Sequence, residues 1–300
     1  MGNILGCRND RYKAPTSEPV EEPEEADDRE GEIHMLVCGI DYSCDRQSWA
    51  GPPPNGHGPL DTRHAFDMMV KLGQASGATT LKTLWNQQCT TEGMKAAIAE
   101  VGAACGPEDC FVFYYTGHGD QLPQDGDDSE AFDQCFCLVD ANGNTDDATM
   151  TYRNQVWMRD DDFAEAILDS VDSDVKVLVL IDACHSGTMC DFTAEHSEWG
   201  KKSQRAISIS GCEDTQTSAG TGKGGYFTHA LMRATQALQE EHEDGSYTVA
   251  SMYNMVMEKY NIHKSSGHTQ RFDIHGCAIR PQEFVWPLQP LETFISPVGA

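Results

Sequence analysis

Two residues of this chain have the type and setting for nucleophilic catalysis. His118 follows the apolar run Phe111-Val112-Phe113-Tyr114-Tyr115-Thr116 and lies between Gly117 and Gly119. Cys184 follows Val177-Leu178-Val179-Leu180-Ile181-Asp182-Ala183 and is trailed by His185-Ser186-Gly187. A thiol becomes an effective nucleophile when a neighbouring base manages its proton. Imidazole is the side chain whose ordinary pKa suits that task near neutrality. The glycines let the backbone turn tightly beside each group, and backbone N–H groups near Gly119 and Cys184 could cradle an oxyanion. His185 is a second imidazole beside the thiol, but successive residues leaving a strand point opposite ways.

Both runs read as buried strands of the parallel type, which are apolar almost throughout rather than alternating. In open α/β sheets, ligands and catalysis gather at the carboxyl ends of such strands, so His118 and Cys184 are expected at one edge. The rest of the chain supports that setting. Ile33–Asp41 and Thr79–Asn86 read as strands, with helices over Leu60–Ser76 and Thr91–Ala104. After His118 come a long acidic loop, a short strand around Phe136–Val139 and a helix over Asp160–Val171. Arg205–Gly211 reads as a further strand, Tyr226–Glu240 and Tyr247–Lys264 as helices, and apolar Phe284–Leu288 closes the chain. Alternating elements of this kind predict an α/β fold, a mostly parallel central β-sheet with helices on both faces.

Charge and cysteine usage narrow the function classes. The 300 residues carry 48 acidic against 21 basic side chains, a formal net charge of −27. Nucleic-acid binding needs clustered Lys and Arg, so that class is excluded; metal ions and basic peptide segments are the favoured partners. The 12 cysteines include several inside strand-like runs (Cys38, Cys110, Cys135, Cys137). With no secretory pattern, these read as free thiols of a reducing cytoplasm. Cys135-Phe136-Cys137 has poor spacing for zinc. Asp125-Gly126-Asp127-Asp128 is no EF-hand, because the glycine stands at the wrong position.

Residues 1–32 differ from the remainder. Glu18 to Asp28 is acidic, proline-interrupted and poor in large apolar groups, the composition of a disordered tail. Gly2 of Met1-Gly2-Asn3-Ile4-Leu5-Gly6-Cys7 fits N-myristoylation, although Gly6 replaces the preferred Ser or Thr. Cys7 could carry a second acyl chain, and stable anchoring takes two signals. Peripheral membrane association through this end is therefore an expectation.

Three motifs in order carry a family resemblance. Tyr115-Thr116-Gly117-His118-Gly119, Asp182-Ala183-Cys184-His185-Ser186-Gly187 and Ile209-Ser210-Gly211-Cys212-Glu213-Asp214-Thr215-Gln216-Thr217-Ser218-Ala219 together resemble the metacaspases, over about residues 33–285. The order of regions is most similar to type I metacaspases lacking a long Pro-rich prodomain. The resemblance implies a caspase-like fold with a large-subunit-like region at 33–198, a basic linker at 199–205 and a small-subunit-like region at 206–300 in the same domain. It implies a cysteine endopeptidase and a monomer. Cys184 would be the nucleophile, His118 the general acid and base, and N–H groups of Gly119 and Cys184 the oxyanion donors.

Specificity follows from charge. The caspase signature has Gln two residues before its nucleophile, where this chain has Asp182. A carboxylate there would repel acidic side chains and hold Arg or Lys. The resemblance adds Asp61 as a second acid and Thr116 as a small hydroxyl residue of the same pocket; Gly58 stands where the family often has Cys. It also implies activation by Ca2+, with Asp133, Asp160, Asp161 and Asp191 as ligands, an all-oxygen set suited to a hard cation. The basic patch Lys201, Lys202 and Arg205 is then a place where an Arg/Lys-cutting enzyme would cut itself. Two other classes remain open from sequence: a catalytically silent scaffold of the same fold, and a calcium-responsive membrane adaptor.

Overall fold

Apolar runs with almost no exposed positions become the interior strands. In the computed structural model, the described residues are 31–43, 60–124, 132–144, 149–184, 186–187, 189–190, 192, 198–211, 225–242, 246–264 and 270–298. In chain order the elements are β1 (Ile33–Gly39), α1 (Arg63–Ala75), β2 (Thr80–Trp85), α2 (Thr91–Gly102), β3 (Cys110–Thr116), β4 (Gly119–Pro123), β5 (Phe132–Phe136) and α3 (Met150–Val156). There follow β6 (Met158–Arg159), α4 (Asp160–Ser170), β7 (Lys176–Asp182), α5 (Glu198–Lys202), β8 (Ala206–Ser210), α6 (Tyr226–Glu241), α7 (Val249–His263) and β9 (Asp273–Cys277). The main sheet runs β2-β1-β3-β7-β8-β9. Its first five strands are mutually parallel and β9 is antiparallel to β8.

Alternation along the strands divides the core. Met35, Val37, Val112, Tyr114, Leu178 and Leu180 face α1, α6 and α7. Cys38, Phe113, Tyr115, Val179 and Ile181 face α2 and α4 from the other side. Two-sided burial of this kind is what a parallel sheet requires. A second, antiparallel sheet, β4-β5-β6, leaves the end of β3. Pairing of β7 with β8 joins the two regions on either side of residues 199–205 in one sheet.

Several features differ from the sequence expectations. The strand expected around Phe136–Val139 ends at Phe136 and begins earlier, at Phe132, because it pairs with β4 rather than with the main sheet. The edge strand β9 was not anticipated: His275 and Gly276 interrupt its apolar pattern. The helix α3 and strand β6 stand where no element was expected, and β4 occupies the start of the expected acidic loop. The segment 199–205 is not a bare loop. Its first residues belong to α5, and Trp199 is buried against Phe192, with ring centroids 5.0 Å apart.

Candidate active site

The register of β3 on β7 sets the geometry of the rim. Thr116 lies directly opposite Asp182 in this parallel pair. His118 and Cys184 are each two residues further on, so both leave the sheet at its carboxyl edge beside one another. The backbone at Gly119 closes the gap: a Cβ added there would sit 2.1 Å from the carbonyl oxygen of Cys184. One added at Gly117 would meet the Tyr115 hydroxyl at 2.4 Å. Neither glycine has a positive φ, so the residue type is dictated by space rather than by turn conformation.

His118 is buried and held from several sides. Its N–H donates to the Tyr42 hydroxyl at 2.8 Å. Its carbonyl accepts from the Tyr115 hydroxyl at 3.0 Å and from the Cys137 N–H at 3.1 Å. The Tyr42 ring packs on the imidazole, with centroids 4.8 Å apart. Tyr42 itself has φ 60, a left-handed conformation uncommon for a bulky residue. Its hydroxyl is fixed by donation to the Cys137 carbonyl at 2.9 Å. Sequence reasoning missed Tyr42 because it lies beyond the end of β1, where no apolar pattern marks it.

The bond from Cys137 to the His118 carbonyl places Gly119 and Phe136 as a non-hydrogen-bonded pair of the β4–β5 ladder. The Gly119 N–H therefore points off that ladder, away from β5. Cys184 is half-buried. Among the described cysteines only Cys105 shares that exposure, and burial, with a smaller effect from Asp109, pushes the Cys105 thiol up to about 12. Cys38 and Cys137 are fully buried, and burial raises both thiols well above their ordinary value. The nine described cysteines are thiols rather than disulfide halves.

Asp182 points to the α6 face of the sheet and is 4% exposed. Its Oδ2 accepts the Thr228 N–H at 3.2 Å and the Thr228 hydroxyl, which also bonds the Tyr114 hydroxyl at 2.7 Å. Burial, then the Asp182 charge, raises the Tyr114 phenol well above its ordinary value. A Cβ added at Gly225, the residue before α6, would meet the Asp182 carboxylate oxygens at 2.1 and 2.3 Å. The carboxylate thus sits against the amino end of α6, where the helix dipole favours negative charge. Thr228 and Gly225 escaped the sequence reading because nothing local ties them to a strand 46 residues away in the chain.

Thr116 is buried on the same side, within hydrogen-bonding range of Tyr114. Asp61 is exposed and stands one residue before Thr62, the N-cap of α1, whose hydroxyl donates to the Ile40 carbonyl at 2.8 Å. That places it at the same carboxyl edge of the sheet as Asp182.

The four acids expected to hold a cation divide. Asp160 is tied to the backbone just after Asp133: the Gln134 N–H donates to Asp160 Oδ2 at 2.9 Å. Asp160 also accepts the Asp161 N–H at 3.0 Å, and Asp161 is exposed. Asp133 forms a buried ion pair with Arg159, whose guanidinium also donates to the Pro123 carbonyl and to Asn154. Asp191 lies outside the described residues, and among these no three ligating side chains converge on a metal-sized site. Lys201 and Lys202 are exposed on α5, and Arg205 bonds both oxygens of Glu108 at 3.1 Å. Gly2, Cys7, His185 and the third motif from Cys212 onward lie outside the described residues. No helix among those described is long and apolar enough to cross a membrane.

Comparison with known proteins agrees with this architecture. The caspase domain family matches residues 58–280. The chain is 32% identical over 212 residues to Metacaspase-1 of Arabidopsis thaliana, covering 64% of this chain and 54% of that protein. It is 29% identical over 274 residues to Metacaspase-3 of Trypanosoma cruzi, covering 80% of this chain and 69% of that one. The chain thus spans about half the length of the Arabidopsis relative. Among solved structures, a protein of Geobacter sulfurreducens superposes with TM-score 0.60 at 21% identity, over 87% of this chain and all of its own. Caspase-1 of Spodoptera frugiperda does so with TM-score 0.52 at 12% identity, over 87% and 93%.

Proposed function

This chain belongs to the caspase domain family of cysteine peptidases and is metacaspase-like, and on that premise we propose that it is an endopeptidase cutting after Arg or Lys. The observation that carries the reading is the Thr116–Asp182 register, which brings His118 and Cys184 to one rim beside a buried carboxylate. In the proposed reaction the Cys184 thiolate attacks the scissile carbonyl and forms the C–S bond. The Gly119 and Cys184 N–H groups hold the oxyanion. His118 gives its proton to the leaving amine as the C–N bond breaks, then takes one from the water that hydrolyses the thioester. The rigid seating of His118 by Tyr42, Tyr115 and Cys137 suits a group that must give and take a proton at one fixed place.

Asp182, with Asp61 and Thr116, would form the slot for the substrate cation. A guanidinium or ammonium gains a charge-assisted bond there, whereas an acidic side chain meets a like charge with little water to screen it.

Calcium is the proposed activator. The carboxylates of Asp133 and Asp160, the latter bonded to the Gln134 N–H next to Asp133, would be all-oxygen donors of the kind a hard cation takes; Asp161 and Asp191 would complete the protein's share. Bound there, the ion would supply positive charge that lets these acids share one site. It must also displace Arg159 from Asp133. Self-cleavage after Lys201, Lys202 or Arg205 requires α5 to open, because a peptidase cleft takes an extended strand. Acylation at Gly2 and Cys7, a monomeric state and a cytoplasmic place complete the proposal.

One assay tests it: purified chain with reporter peptides ending in Arg, Lys and Asp, with calcium or a chelator, wild type beside Cys184→Ala. Calcium-dependent hydrolysis of the Arg and Lys reporters, absent in the variant, is expected. Faster hydrolysis of the Asp reporter, or equal turnover by Cys184→Ala, overturns the reading.

A further inference from the structure

The layer formed by α6 and α7 contains a cleft that peptide cleavage does not use. A cavity of about 150 Å³ opens between the two helices. It is lined by Arg233, Gln236 and Glu240 of α6 and by Lys259, Ile262 and His263 of α7. In a chain with 48 acidic and only 21 basic residues, three nitrogen-bearing side chains of basic type converge here around a single lining carboxylate. Their placement is supported by neighbours. Arg233 Nη2 donates to the Val298 carbonyl at 3.1 Å, which fixes the guanidinium at the cleft. Gln236 Nε2 donates to Glu240 at 2.9 Å and holds that carboxylate along its own helix.

We propose that this cleft is an anion site for one phosphate group, taken as free phosphate or as a small phosphate monoester. Arg supplies a planar fork of donors and Lys a mobile point charge, the two usual partners of phosphate oxygens. The volume decides the size class. Sites for drug-sized ligands run from about 300 Å³ upward, so this cleft suits a compact group. Electrostatics agrees with the geometry. Burial, then Arg233 and Lys259, holds the His263 imidazole below its ordinary value, and burial lowers Arg233. Arg233 and Lys259 thus both face His263, with Glu240 on α6 and Glu258 beside Lys259 as the described carboxylates near them, and their repulsion disfavours a third positive charge. A bound dianion would relieve it and favour protonated His263. The site lies about 12 Å along α6 from Gly225, at a rise of about 1.5 Å per residue, and so apart from the rim.

The experiment is an NMR titration of His263 in the full chain carrying Cys184→Ala, at fixed ionic strength. Inorganic phosphate, glycerol phosphate and chloride are added in separate arms. Saturable shifts with phosphate, a raised His263 pKa, and none of this with chloride are expected. Lys259→Gln should weaken binding by about tenfold, the scale of one charge-assisted contact, and Glu240→Gln should tighten it. Saturation by inorganic phosphate alone supports the site with free phosphate as ligand, and saturation by both supports the monoester as well. Absence of a saturable shift at His263, or equal binding by wild type, Lys259→Gln and Glu240→Gln, overturns the proposal.

Discussion

Gly225→Ala tests the part proposed for Asp182 in specificity. The added methyl carbon would lie 2.1 and 2.3 Å from the two carboxylate oxygens and 2.4 Å from their carbon, where ordinary contact begins near 3.4 Å. Something must move by more than 1 Å. The helix resists, because Phe227, Ala230, Leu231 and Ala234 are packed in the core. The carboxylate therefore yields, stretching its 3.2 Å bond to the Thr228 N–H. A displacement of about 1 Å in a positioning group can cost about 100-fold, equivalent to about 2.7 kcal/mol. In steady-state assays on an Arg-ending reporter, kcat/KM should fall by about 10- to 100-fold, with most of the loss in KM because a ground-state contact has been weakened. Thr228→Val is the gentler companion. It removes the hydroxyl that joins Asp182 to Tyr114 without adding bulk, and about tenfold of the same kind is expected. Both variants are checked by thermal melting, since overpacking alone costs about 1–3 kcal/mol. A folded Gly225→Ala protein with unchanged KM, or with its loss confined to kcat, would show that Asp182 serves α6 and not the substrate.

Three other outcomes follow from the same geometry. At pH 8, iodoacetamide should label Cys184 and spare Cys105, whose thiol at about 12 is almost wholly protonated; peptide mapping checks this, and equal labelling of the two refutes it. Arg159→Gln strips a partner from buried Asp133, so its melting temperature in chelator should drop by the equivalent of about 3–5 kcal/mol. Calcium should restore more of that loss than it adds to wild type; if calcium stabilises neither protein, Asp133 is not a ligand. Asp109→Asn tests the opposite end of the sheet. Burial pushes that carboxyl up, but the Glu32 and Gly106 N–H groups and His34 outweigh it and leave it below the ordinary range. Its contribution is therefore present above the ordinary Asp value and fades as pH falls through the lowered one. Unfolding free energies from urea titrations should differ by about 1–3 kcal/mol at pH 7 and draw together at lower pH; a difference that grows in acid is the opposite sign and refutes the assignment.

What the sequence disclosed and what it concealed have one physical origin. The interior strands were legible because burial on both faces forces near-continuous apolar runs; β3 ends at Thr116, just before Gly117, and β7 ends at Asp182, where the apolar run gives way to a carboxylate. With parallel strands, sequence position translates into a shared edge, so the juxtaposition of the regions around His118 and Cys184 needed no structure to expect. The edge strand β9 lacked that signal: among the described residues it pairs on one flank only, and Asp273 and His275, joined by their own ion pair, stand on one face in place of apolar residues. Long-range polar partners were hidden altogether. No local pattern couples Asp182 to Thr228, Asp133 to Arg159 or His118 to Tyr42, because each pair is joined only when the helices or the second sheet dock. Those partners also decide how the rim can act. Asp182 is pre-oriented by a helix end, Asp133 carries a resident guanidinium, and His118 has its backbone fixed on both sides. Side-chain type therefore announces the chemistry, while the supporting contacts, joined only on folding, set what must move before a ligand could reach these carboxylates.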